Sequence, residues 1–144
     1  MLQAAKGVPM YEILVPVDRD EPRALSQAET VSGLPHAAEA IRVTLLHVFT
    51  DNEEGASVNQ VGSVREAQDR LEEAGIEVDL AEQSGDPAAE ILDYADEADV
   101  DLICLAGRKR TPAGKVLFGS VTQSVILGTE KAVLVSGRGQ TPSE

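Results

Sequence analysis

Five short apolar runs rich in Val, Ile and Leu, at Tyr11 to Val17, Val43 to Phe49, Ile76 to Ala81, Val100 to Ala106 and Ala132 to Ser136, are separated by segments long enough to hold a helix. Strands separated in this way cannot be joined by tight hairpins, so they must pair in parallel through helical crossovers. The runs carry few polar residues on either parity, as expected where helices cover both faces of a sheet. The predicted fold is α/β: an open, doubly wound, five-stranded parallel sheet of Rossmann-like type with helices on both faces.

The intervening segments supply four helices. Glu21 to Val31 and Val61 to Ala74 each present one apolar stripe, with Val64, Ala67, Leu71 and Ala74 recurring at three- and four-residue spacing in the second. Gly75 is placed to stop that helix. Asp86-Pro87 opens the next as cap and first-turn proline, with Ala88, Ile91, Leu92 and Ala95 as its buried face. The 144 residues suit one domain, residues 1–144, with a core of about 10–136, tails at 1–9 and 137–144, and a polar loop from Asp51 to Gln60.

In doubly wound sheets ligands sit beyond the carboxyl ends of the strands, where strand order reverses. The candidate loops are Pro16 to Pro22, after the first strand, and Gly107 to Phe118, after the fourth. The second is unusual in charge. The chain has 25 acidic and 12 basic residues, a net charge of -13, yet no carboxylate lies between Asp101 and Glu130. Arg108, Lys109, Arg110 and Lys115 cluster inside that gap, followed by Gly119-Ser120 at the start of a helix. Such a basic run is often a solvated patch. Here the glycines, the cations and the helix N-terminus together favour an anion, with Gly119 allowing close backbone approach and Ser120 offering a hydroxyl.

Asp18, one residue past the first apolar run, suits a cap for the first helix and a contact to a ribose or base equally well. His47 lies inside an apolar strand, where a satisfied structural role outweighs catalysis. Cys104, the single cysteine, excludes an intramolecular disulfide; its aliphatic neighbours make it a small buried hydrophobe and fit a reducing cytoplasm. Spacings for zinc, for a P-loop and for a nucleophile elbow are absent, and no base or nucleophile is identified, so binding rather than turnover is expected. No run approaches the roughly 18 apolar residues of a membrane span, and residues 1–10 do not read as a leader, so a soluble cytoplasmic protein is expected. The acidic balance disfavours nonspecific contact with nucleic acid or anionic membrane.

Taken together, Ile13-Leu-Val-Pro-Val-Asp18, Val43-Thr-Leu-Leu-His-Val48, Asp101-Leu-Ile-Cys-Leu-Ala-Gly107 and Gly119-Ser-Val-Thr-Gln-Ser-Val125 resemble the universal stress protein family across residues 10–136. The resemblance implies a five-stranded parallel sheet, a homodimer joined through the last strand, Ala132 to Ser136, and in one branch a bound ATP. That branch carries a glycine, two residues, a second glycine, nine residues and a closing Gly-Ser or Gly-Thr. Gly107 matches the first glycine and Gly119-Ser120 the closing pair, but Arg110 stands at the second glycine and eight residues separate it from Gly119. A turn that needs positive φ or close backbone approach there would have to change, with Lys109 and Arg110 supplying side-chain donors in its place.

By resemblance, Asp18 meets the ribose or adenine side, and Pro16 and Val43 line the base pocket with Val17 and Ala106 beside them. Gly107, Gly119, Ser120 and Val121 hold ribose and phosphates. The implied ligand is ATP or a related adenine nucleotide, with Mg2+ as a possible companion, bound with little or no turnover as a stress-response module. The competing expectation is a dimeric interaction protein of the same family that binds no nucleotide. A related class of adenylating enzymes needs a glycine-rich, serine-containing loop after the first strand, where this chain has Asp18-Arg-Asp-Glu21.

Overall fold

A computed structural model describes residues 10–50, 57–107 and 118–137. Each apolar run becomes a strand: β1 Tyr11–Pro16, β2 Ile41–Phe49, β3 Glu77–Ser84, β4 Leu102–Ala106 and β5 Ala132–Ser136. Between them lie α1 Glu21–Ser32, α2 Ala37–Ala40, α3 Gly62–Glu73, α4 Pro87–Ala98 and α5 Ser120–Gly128, with a 3-10 turn at Val58–Gln60. All strand pairs are parallel, in the order β3-β2-β1-β4-β5.

Strand alternation sorts the core into two layers. Ile13, Val15, Val43 and Leu45 face α1 and α3, packing against Ala24, Ala28, Val31, Val64, Ala67 and Leu71. Leu14, Leu46, Ile103 and Leu105 face α4 and α5, against Ile91, Ala95 and Val125. Cys104 belongs to the first layer, and burial pushes its thiol up to about 12. It is a packing residue, as its neighbours imply.

The helix ends follow their sequence signals. Asp20 caps α1 by accepting the Arg23 N–H at 2.9 Å, and Asp86 caps α4 through the Ala89 N–H at 3.0 Å. Gly75 follows the end of α3 at φ +84°, a conformation that favours glycine.

Two expectations change. The apolar run predicts a strand over Ile76 to Ala81, yet β3 extends to Ser84 through Glu82 and Gln83 because β2 supplies a register partner for every residue from Glu77 to Ser84. As an edge strand it tolerates exposed carboxylates, which also discourage pairing with another chain. The four-residue α2 was not expected, being too short to show a periodicity. Of the polar loop, residues 51–56 lie outside the described residues, as do the tails at 1–9 and 138–144.

The feature that positions a site is the parting of β1 and β4. They share only the pairs Ile13–Leu102 and Leu14–Ile103, while β1 stays registered with β2 as far as Pro16 and β4 with β5 as far as Ala106. Val17 donates its N–H to Leu46 on β2, so by strand alternation the preceding residue turns toward β4. That residue is Pro16, which has no N–H to give. Gln27, 2% exposed, occupies the gap from α1, its Nε2 donating to the carbonyls of Pro16 at 2.8 Å and Cys104 at 3.0 Å.

Replacing Gln27 with leucine keeps the volume and removes both donors. The variant is expected to lose about 2–4 kcal/mol of unfolding free energy, since a buried acceptor left unpaired costs about 1–3 kcal/mol. Urea denaturation checks this, and a loss below about 1 kcal/mol would show that Gln27 does not hold the two strands.

Candidate functional site

Beyond the carboxyl ends of β1 and β4 the sheet opens into a cavity of about 360 Å³. Its floor is the end of β1, Pro16 and Val17, with Asp18 and Arg19 at the turn into α1. Arg23 and Gln27 of α1 and His47 and Phe49 of β2 close one side. Leu46, Val48, Leu105 and Ala106, with Pro87 and Ile91 of α4, form a largely apolar wall on the other. The first turn of α5, from Gly119 to Thr122, completes it.

The β1–α1 turn is held by three buried polar side chains from three elements. Pro16 O accepts from Gln27 of α1. Val17 O accepts from His47 Nδ1 of β2 at 2.7 Å; a carbonyl only accepts, so Nδ1 carries the proton. Asp18 O accepts from Ser63 Oγ of α3. Gln27, His47 and Ser63 are 2%, 4% and 1% exposed. Consecutive carbonyls that leave the sheet ladder are thus paired one by one, as buried polar groups require.

Asp18 projects from this fixed turn. Its side chain is 57% exposed and pairs with Arg23 at 2.8 Å, and its Oδ1 accepts the Asp20 N–H at 2.9 Å. The cap of α1 belongs to Asp20, while Asp18 braces the turn through these contacts and lines the cavity. Arg19 lies over the Phe49 ring, 5.8 Å from its centroid, a cation on an aromatic face at the cavity rim.

α5 begins at Gly119 with no side chain capping it among the described residues. The first-turn N–H groups therefore have no acceptor within the helix and lie where Ser120 and Val121 line the cavity. Gly119 has φ -74°, which any residue adopts, and having no side chain it supplies no cap of its own. Thr122 Oγ1 donates to Ala106 O at 3.1 Å, tying the start of α5 to the end of β4.

Of the residues singled out from sequence, Pro16, Val17, Asp18, Ala106, Gly119, Ser120 and Val121 share this one cavity. Two do not. Val43 is fully buried in the core beneath α1 and α3, mid-sheet between Ile13 and Val78. It lies three residues before Leu46, where β2 first reaches the opening, and Val48 of the same strand lines the cavity. Gly107 is buried and donates its N–H to Ser136 O at 2.7 Å, outside the cavity wall. Lys109 and Arg110, like Arg108 and Lys115, lie outside the described residues.

Sequence reasoning missed Gln27, Arg23, Val48, Phe49 and Pro87 as cavity residues. Gln27 had a visible signal, a long polar side chain in the apolar stripe of α1; the others did not stand out. Among the described residues no group of His, Cys, Asp and Glu is arranged to hold a metal ion, and no helix is long and apolar enough to cross a membrane.

Among known proteins, the chain is 34% identical over 74 residues to a universal stress protein of Mycolicibacterium smegmatis, covering 51% of this chain and 57% of that one. It is 30% identical over 108 residues to a universal stress protein of Methanocaldococcus jannaschii, covering 75% and 62%. The chain thus matches 57–62% of the length of these curated relatives. Among solved structures, a universal stress protein in complex with cAMP superposes with a TM-score of 0.68 at 22% identity, over 90% of this chain and 98% of that one. One from Archaeoglobus fulgidus in complex with dAMP gives 0.64 at 23% identity, over 89% and 98%. These last two likenesses speak to the fold. The model of the universal stress protein family matches residues 10–136, and with that match over nearly its whole length the chain belongs to the universal stress protein family.

Proposed function

We propose that this chain is an adenine-nucleotide-binding module of the stress response that holds ATP or a related nucleotide in the β1–β4 cleft with little or no turnover. The observation that carries the reading is the juxtaposition, across one cavity, of the Asp18 carboxylate with the α5 N-terminus, which no side chain among the described residues caps. Backbone N–H groups and a helix dipole suit phosphate. An acceptor-only carboxylate suits sugar hydroxyls or an exocyclic amine. The apolar wall around Val48, Pro87 and Ile91 suits a flat base. Family members solved with cAMP and with dAMP support the same ligand class.

In this reading Pro16, Val17 and Ala106 flank the base, Ser120 and Val121 meet the phosphates beside Gly119, and Gly107 anchors the start of the intervening loop. Lys109 and Arg110 add side-chain donors, and Mg2+ enters with the phosphates. Among the described residues His47 Nδ1 is committed to Val17 O, and the Cys104 thiol is buried and held protonated. The module works in a reducing cytoplasm as a homodimer through β5.

Calorimetric titration with Mg-ATP, and separately with AMP, tests the binding. Saturable binding is expected, weakened roughly tenfold or more in Asp18→Ala and in Ser120→Ala, each of which removes a polar ligand contact. Absence of heat with both nucleotides on folded protein would sink the proposal.

The homodimer of this reading, shared with the alternative of a dimeric interaction protein that binds no nucleotide, is supported by the composition of β5. This edge strand, Ala132–Ser136, carries no charged residue, unlike the carboxylate-bearing β3 at the other edge, and an unguarded apolar edge is a pairing surface. Ala132 is exposed at its start. Ala132→Lys is expected to raise the dimer dissociation constant about tenfold or more in sedimentation equilibrium; an unchanged assembly, or a monomeric parent, would remove β5 as the interface.

A further inference from the structure

The Asp18 carboxylate is more than half exposed, yet both its oxygens are engaged. Oδ1 accepts the Asp20 N–H at 2.9 Å, and Oδ2 accepts from Arg23 Nη2 at 2.8 Å. Arg23 is held in turn: Nη1 lies 3.5 Å from Asp20 Oδ2, and its backbone N–H is the one Asp20 Oδ1 caps. The contacts close a ring in which the guanidinium bridges both acids. A planar fork fixes orientation as well as charge, which a mobile ammonium does not.

A carboxylate oxygen has about two acceptor sites. Each Asp18 oxygen therefore keeps one after these contacts, on a residue that lines the cleft. A group that only accepts selects a donor, and two adjacent fixed acceptors fit the neighbouring hydroxyls of a ribose. Arg23 lines the same cavity and is 28% exposed. Its charge is already balanced by Asp18 and Asp20, which suits it to positioning rather than to capturing a phosphate.

Resting on the nucleotide reading above, we propose that Arg23 is a positioning residue that sets the sugar specificity of the cleft. By clamping Asp18 it makes the site prefer a ribose with both hydroxyls over a 2′-deoxy or 3′-deoxy sugar. An Asp18 released from the clamp still accepts hydrogen bonds, but as a mobile group it no longer distinguishes a diol from a single hydroxyl. The specificity, more than the affinity, depends on Arg23.

The test titrates the intact chain and its Arg23→Gln, Arg23→Lys and Asp18→Asn variants with ATP, 2′-deoxy-ATP and 3′-deoxy-ATP, and with the three corresponding monophosphates. The parent is expected to bind at least one deoxy analogue roughly tenfold or more weakly than the ribonucleotide, the scale of one hydrogen bond to a charged group. Arg23→Gln should compress that ratio to about threefold or less, Arg23→Lys should restore part of it, and Asp18→Asn should abolish it. Arg23 is a partly exposed side chain in the first turn of α1, so thermal unfolding of Arg23→Gln should stay within a few degrees of the parent, separating lost discrimination from lost fold. If Arg23→Gln weakens ribo- and deoxynucleotides by one common factor, or if the parent shows no sugar preference, the inference falls and the nucleotide module stands. If the parent binds none of the six nucleotides, both fall.

Discussion

Three consecutive carbonyls at the end of β1, those of Pro16, Val17 and Asp18, each accept a hydrogen bond from a different buried side chain: Gln27, His47 and Ser63. The requirement arises where β1 leaves the sheet: Pro16 turns toward β4, Val17 toward β2, where its N–H bonds Leu46, and each carbonyl past the ladder needs another donor. An unpaired buried carbonyl costs about 1–3 kcal/mol, a sizeable part of the total stability of a domain of this size. α1, β2 and α3 each contribute a donor at the floor of the cleft. The same donors fix the backbone that presents Asp18, so the stability of the fold and the geometry of the site rest on the same contacts.

Charge acts on the cleft over a short range. A net charge of -13 repels anions at a distance, and at physiological salt charges more than about 8 Å apart are largely screened. What an anion meets inside the cavity is set by the nearest groups. Arg23 is neutralised by Asp18 and Asp20, and Arg19 lies against Phe49. An anion that took Arg23 from its partners would expose two carboxylates to itself. The first-turn N–H groups of α5 impose no such exchange, because no side chain among the described residues caps them. Among the described residues, that helix end is where negative charge is accommodated with the least rearrangement.

The accounting that builds the cleft also reaches the sheet edge. Gly107 donates to Ser136 O at 2.7 Å, and Ser136 Oγ meets Ser26 Oγ of α1 at 3.2 Å. Both serines are buried. The last residue of β5 is therefore fastened on one side to the start of the β4–α5 loop and on the other to the helix that carries Arg23 and Gln27. β4 and β5 remain registered from Leu102 to Ala106, so the opening at the switch point is confined to the β1 side. The fold keeps one rigid wall and one parted wall, and the cavity lies along the parting.

The strands and their parallel order were legible because each apolar run is short, nearly free of polar residues and bounded by helix-length segments, a pattern with few physical solutions. The cleft's position followed from topology, and so did the presence of Asp18, Ser120 and Val121 on its lining. Val43 went wrong for a reason of scale: it stands in the same apolar run as Val48, and composition does not say how far along a strand the sheet stops being closed. That distance is fixed by where β1 and β4 part, which depends on Pro16 lacking an N–H and on Gln27 reaching two carbonyls, one of them 77 positions away in sequence. His47 and Gln27 were both visible as polar residues in apolar stripes, which marks them as satisfied, but their partners are not readable from local pattern. The residues that define this site are those whose hydrogen bonds span separate elements, and such bonds are decided only when the sheet has formed and each carbonyl has found, or failed to find, its neighbour.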